Sequence, residues 1–153
     1  LNACQSLGLG VMLDLKTHQE DPGFLHTIGE SLVRHGLADA SLCITGEPAT
    51  RRHLRHTRFT LTADELKALR QGDRMELSDR FWFGLPSQLQ AGDIQKLQAA
   101  GVLVLPAINT FRYPANRHHE EAEADIKALI RQGVDGFQID SIYQEWFGLT
   151  SGR

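Results

Sequence analysis

The stretch GVMLDLKT, residues 10–17, closes an apolar run with an acid and a lysine two positions apart. Side chains of an extended strand alternate between faces, so Met12, Asp14 and Lys16 share one side while Val11, Leu13 and Leu15 share the other. Two chemistries fit that placement. One is an ion pair that closes a strand end; the other is a carboxylate and an ammonium held together to act on a substrate. Thr45, Asn109 and Asp140 also stand at the ends of apolar runs. His18 follows Lys16 by two residues in a loop and is the nearest side chain whose charge changes near neutral pH. The loop TFRYPANRH, residues 110–118, carries Arg112 and Tyr113, which can reach a phosphate or a polar head group.

The other histidines and the tryptophans read as structural. His53 and His56 in RRHLRH lie three apart on an expected helix, but the neighbouring arginines repel a cation. That run is read as a solvated basic face, and it lacks the interleaved aromatics of a nucleic-acid surface. His118 and His119 flank a helix start and are expected to be exposed. Trp82 and Trp146 are expected to pack.

The elements that must position these residues alternate in type. Strands are expected over 9–15, 40–45, 58–61, 80–85, 102–109 and 136–140. Helices are expected over 23–36, 47–56, 62–72, 92–101 and 120–133, with a closing helix from 141. Leu25, Ile28, Leu32 and Val33 share one helical face. Thr62 and Glu65 have the spacing of a capping box, with Gly72 just past the helix end. VLVLPAIN is apolar throughout, the pattern of a strand covered on both faces. Such alternation implies a parallel sheet with right-handed crossovers. No G-x-G-x-x-G turn follows the first strand, which argues against a doubly wound dinucleotide fold. Polar residues gather instead at the carboxyl ends of strands, as in a (β/α)8 barrel. Residues 1–153 are read as one incomplete barrel domain with about six of eight strand–helix units, the N-terminal strands missing.

Composition bounds the partners. Hydrophobic residues make up 41% of the 153-residue chain and charged ones 23%, a soluble, globular balance. A formal charge of -3 gives no electrostatic case for nucleic acid or an anionic membrane. The longest apolar run, GVLVLPAI, is broken by Pro106 and falls short of the roughly 18 residues of a membrane span. Cys4 and Cys43 are too few for a disulfide framework and are expected to be reduced. The chain opens without methionine or signal peptide, so it is read as a fragment or a processed product. A barrel of six strands would expose unpaired edges and favour self-association.

Three segments resemble the glycerophosphodiester phosphodiesterases. MLDLKT is similar to their acid-x-lysine strand, VLPAINTF to the strand written W-T-V-N, and GVDGFQIDS to the last-strand signature G-V-D-G-I-I-T-D. They occur in the family's order and cover most of the chain. The resemblance implies a phosphoric diester hydrolase on a (β/α)8 barrel, acting on a small glycerophosphodiester with a divalent cation, Ca2+ or Mg2+. By position, Asp14 would be a metal ligand, Lys16 a catalytic contact to the phosphate, and Asn109, Arg112, Tyr113 and His18 substrate contacts. Hard cations take carboxylate oxygens, and an ammonium beside them offsets phosphoryl charge without competing for the metal. The chain also departs from the pattern. Asp14 replaces the usual glutamate, as in the related spider sphingomyelinase D branch. Ala107 stands where the family has tryptophan. Neither the H-R-G strand with its catalytic histidine nor the E-x-D strand with two metal ligands is matched. Two other readings remain. GVDGFQID is also similar to the GVDGFRLD strand of α-amylase-type glycosidases, with Asp140 as nucleophile and Gln138 in place of an arginine. A non-catalytic truncated barrel used as a binding module accounts directly for the unmatched ligands.

Overall fold

The computed structural model describes residues 1–16, 21–45 and 47–147. These residues gather into two compact units. One takes Leu1–Phe81 with Ala100–Val102; the other takes Trp82–Ala99 and the chain from Leu103 onward.

The first unit opens with a short helix not anticipated from sequence, α1 (Asn2–Ser6). The order is then β1 (Val11–Leu13), α2 (Pro22–Arg34), β2 (Ser41–Cys43), α3 (Pro48–His53), β3 (Arg58–Thr60), α4 (Ala63–Gln71) and the start of β4 (Arg80–Gly84). β1 pairs with β2, β2 with β3 and β3 with β4, every pair parallel. The register aligns Leu13, Cys43 and Phe59 in one row and Met12, Leu42 and Arg58 in the other. The first row is the core: buried Cys43, Leu54 and Phe59 pack with Leu13, Leu15 and Ile28. Leu25 and Leu32 of α2 are buried as the helical spacing requires, whereas Val33 is 62% exposed. Gly10 enters β1 so closely that a Cβ there would stand 2.5 Å from the Ala40 carbonyl oxygen.

α4 is fastened at its start by the expected capping box. Thr62 Oγ1 accepts from the Glu65 amide at 3.2 Å, and the Glu65 carboxylate accepts from the Thr62 amide at 2.8 Å. The other Glu65 oxygen accepts from Arg80 Nε at 3.1 Å, so the cap also ties the helix to the first residue of β4. Burial alone would raise the Glu65 pKa, but the Thr62 bonds and the Arg80 charge outweigh it and hold the carboxyl below its ordinary value. Gly72 ends the helix with φ +95°, a conformation that glycine adopts without a Cβ clash.

The second unit runs from the rest of β4 through α5 (Asp93–Ala99), β5 (Leu103–Ile108), α6 (His118–Gln132) and β6 (Gln138–Ile139). β5 and β6 are parallel, with Ala107 opposite Gln138 and Ile108 opposite Ile139. Its buried residues include Trp82, Ile94, Leu97, Val104, Ile108, Ile126 and Leu129, so Trp82 packs as expected. Three expectations change. The strand expected over 136–140 shrinks to Gln138–Ile139, although the Asp140 amide still donates to the Ile108 carbonyl at 3.1 Å. α6 begins at His118, two residues early, and His118 is half-buried against the Tyr143 hydroxyl at 3.1 Å rather than exposed. The closing helix is 3₁₀ over Ser141–Phe147. In that winding residues three apart eclipse, which stacks the buried Tyr143 on Trp146 at 5.1 Å between ring centroids.

Replacing the cap hydroxyl tests this account of α4. Thr62→Ala is expected to cost about 1 kcal/mol in urea unfolding, with an unchanged denaturant slope. A cost within 0.2 kcal/mol of zero, roughly the experimental floor, would show that the cap is not what holds the helix start.

Candidate functional site

Asp14 and Lys16 stand where the alternation places them. β1 ends at Leu13; Met12, Asp14 and Lys16 are exposed, while Val11, Leu13 and Leu15 are half-buried. Leu13 and Leu15 pack into the core and thereby turn Asp14 and Lys16 to the opposite face, at the carboxyl end of the strand. Lys16 Nζ lies 2.8 Å from Asp14 Oδ2, with the two side chains 79% and 50% exposed. An ion pair this exposed contributes about 0–1 kcal/mol, so stability does not commit either group to the other. Both can exchange their partner for a ligand. His18 lies outside the described residues.

Asp14 is felt inside the core as well. The Cys43 thiol, fully buried one strand away, is pushed up to about 11, first by burial and then by the Asp14 charge. Thiolate is the reactive form. A disulfide reagent at pH 8 is therefore expected to titrate Cys4 alone in the folded protein, since Cys4 is partly exposed, and both thiols after unfolding. Two fast-reacting thiols in the folded state would contradict the burial of Cys43.

In the second unit, Asn109 is the centre of a network that the sequence did not disclose. The β5–β6 register sets Asn109 beside Asp140, with Ala107 and Gln138 on the same side. Asn109 Nδ2 donates to Gln138 Oε1 at 3.1 Å and to Asp140 Oδ1 at 3.0 Å. The other carboxylate oxygen accepts from the Thr110 amide at 2.7 Å and the Thr110 hydroxyl at 2.8 Å. These bonds, the Thr110 amide first, hold the Asp140 carboxyl below its ordinary range. The period-2 placement of Gln138 and Asp140 was legible; their alignment with Asn109 depends on inter-strand register, which no local pattern carries. With both its oxygens engaged by its own neighbours, Asp140 is a poor candidate for a glycosidase nucleophile.

Arg112 and Tyr113 follow in the adjoining 3₁₀ turn, Thr110–Arg112 and its cap. The Arg112 guanidinium lies 4.5 Å from the Phe111 ring centroid, and both side chains are exposed. The Tyr113 hydroxyl donates to Asp125 Oδ2 of α6 at 3.0 Å. Burial, then that bond and the Asp125 charge, raise the tyrosine pKa, so the phenol keeps its proton at all ordinary pH. Its one donor is thus used internally. Arg112 is exposed to solvent in this loop, and so is Arg117, which pairs with Glu121 at 3.0 Å.

A divalent cation of the calcium or magnesium type needs about six oxygen ligands. Among the described residues, no group of three or more His, Cys, Asp and Glu side chains converges on a common point. Asp14 supplies one carboxylate, and the described donors do not by themselves make a cation site. No described helix is long and apolar enough to cross a membrane.

The Asp140 network predicts a pH response. A carboxyl whose folded pKa is depressed adds stability that is fully present above its unfolded value of about 3.9 and is lost as pH falls through the folded one. The Thr110 amide proton should therefore report, by NMR, an Asp140 midpoint below about 3.9. A midpoint at or above that value would show that the three bonds do not favour the charged form.

Comparison with known proteins gives the fold. No family model matches the chain, and no curated protein matches it. Among solved structures, the crystal structure of a glycerophosphodiester phosphodiesterase from Agrobacterium tumefaciens matches over 95% of this chain, with a TM-score of 0.60 and 15% sequence identity. This chain spans 58% of that structure's length. At that identity the likeness concerns architecture. The chain has an α/β fold of parallel strands alternating with helices, part of a TIM-barrel-like arrangement similar to that of a phosphodiesterase.

Proposed function

We propose that this protein is a phosphoric diester hydrolase acting on glycerophosphodiesters or related phospholipid-derived diesters, metal-dependent when its barrel is complete. The observation that carries the reading is the Asp14–Lys16 pair, exposed at the carboxyl end of β1 on the face opposite the core. Active sites of TIM barrels lie at that end of the strands. The architecture shared with a glycerophosphodiester phosphodiesterase supports the same class.

In this reading Lys16 contacts the phosphate and offsets the charge that develops on its oxygens, a role for a fixed cation near the reacting group. Asp14 would offer one carboxylate oxygen to a Ca2+ or Mg2+ ion, which would there supply charge to offset that of the phosphate. Asn109, Arg112, Tyr113 and His18 belong to substrate binding. Arg112 supplies a planar cation for an anionic head group, and Tyr113 holds its loop to α6 through Asp125. A second reading draws on the 2.8 Å separation of Lys16 and Asp14: a closed ion pair on a non-catalytic module that binds without turnover.

Hydrolysis of a glycerophosphodiester by the protein as its natural source produces it, with Ca2+ or Mg2+ added, separates the two. Asp14→Asn and Lys16→Ala are each expected to lower turnover at least about 10²-fold while the circular dichroism spectrum stays that of the parent. Full activity in Asp14→Asn would remove Asp14 from the site. Absence of turnover in the parent protein with either metal would favour the binding module.

A further inference from the structure

The Asn109 amide is oriented by chemistry as well as by geometry. An ionised carboxylate only accepts hydrogen bonds, and the depressed pKa of Asp140 keeps it ionised near neutral pH. The Asn109 atom facing Asp140 must therefore be nitrogen, which settles the usual ambiguity between the two ends of an amide. The same nitrogen faces Gln138 Oε1, so both of its hydrogens are used within the protein. What remains is Oδ1. Among the described residues the one buried side-chain nitrogen or oxygen without a partner is Arg51 Nε, so the unpartnered Asn109 Oδ1 opens to solvent.

We infer that Asn109 meets its ligand only as a hydrogen-bond acceptor, through Oδ1, and so recognises a hydroxyl on the alcohol part of the diester rather than its phosphate. Gln138 and Asp140 are positioning residues that fix the amide in that sense. The inference rests on the hydrolase reading for the identity of the ligand. The phosphate oxygens of a diester carry no hydrogen and only accept, so they would meet a second acceptor at Oδ1; a glycerol hydroxyl can donate to it. Thr110 completes the frame. Its amide and hydroxyl occupy the far oxygen of Asp140, so the carboxylate cannot rotate away from Asn109 without losing two bonds.

Two diesters separate this from a phosphate contact in the full-length protein: glycerophosphoglycerol, rich in hydroxyls, and bis(p-nitrophenyl) phosphate, which has none. Asn109→Ala should raise KM for the first about tenfold, the loss of one hydrogen bond, and leave KM for the second unchanged. Asp140→Asn, which can present either end of its own amide, should erode the same preference while kcat for the nitrophenyl diester holds. An NMR titration of the unsubstituted protein covers the case in which the variants unfold. Glycerol 3-phosphate should shift the Asn109 side-chain carbonyl carbon and leave both Nδ2 protons slow to exchange, and dimethyl phosphate, a diester anion with no O–H to donate, should shift neither. An equal KM rise for both diesters, or a carbonyl shift produced by dimethyl phosphate, would overturn the inference and leave the hydrolase reading intact. A carbonyl shift with glycerol 3-phosphate but no hydrolysis of either diester would do the reverse. Neither shift nor hydrolysis would remove both.

Discussion

The parallel register of β1, β2 and β3 is the constraint on which the first unit depends. It sets Leu13, Cys43 and Phe59 side by side, and that row, closed by Leu54 and Ile28, is the core. A slip of one residue would exchange the two faces of a strand. In β1 it would drive Asp14 into the apolar row and expel Leu13. Burying an unpaired carboxylate is far costlier than the pairing of three residues could offset, so the hydrophobic pattern fixes the register. The outward placement of Asp14 and Lys16 is thus a by-product of packing on the other side of the sheet.

Much of this was legible in the sequence because it depends on local periodicity. The alternation in GVMLDLKT separates its two faces, the capping box announces α4, and the spacing of Leu25, Ile28 and Leu32 announces the buried side of α2, though Val33, read on the same face, is exposed. What escaped depends on contacts distant in sequence. The Asn109 network joins residues roughly thirty positions apart through a strand register. The engagement of Tyr113 with Asp125, and of His118 with Tyr143, depends on how α6 lies beside the preceding and following turns. The closing segment reads as a helix by composition but winds as 3₁₀, because stacking Tyr143 on Trp146 rewards an eclipsed spacing of three.

The two clusters of polar residues differ in how firmly they are built. Asp14 and Lys16 form one exposed ion pair, held by a single contact in water. Asn109 is held from two sides and Asp140 accepts three bonds, so that cluster is set before any ligand is present. Preorganised groups discriminate between ligands because they do not rearrange to suit them.

The chain-order pairing of β1 through β4 has a consequence for how the first unit reaches its native state. Each strand finds its partner one helix further along the chain, so loop closures are short and the entropy lost at each step is small. Parallel pairing across a helix still forms more slowly than a hairpin, so chain-order connectivity limits that delay without removing it. Damage to one unit is then felt mainly by its two neighbours. An architecture assembled in this way can gain or lose units at its margins over evolutionary time while the remaining strands keep their register.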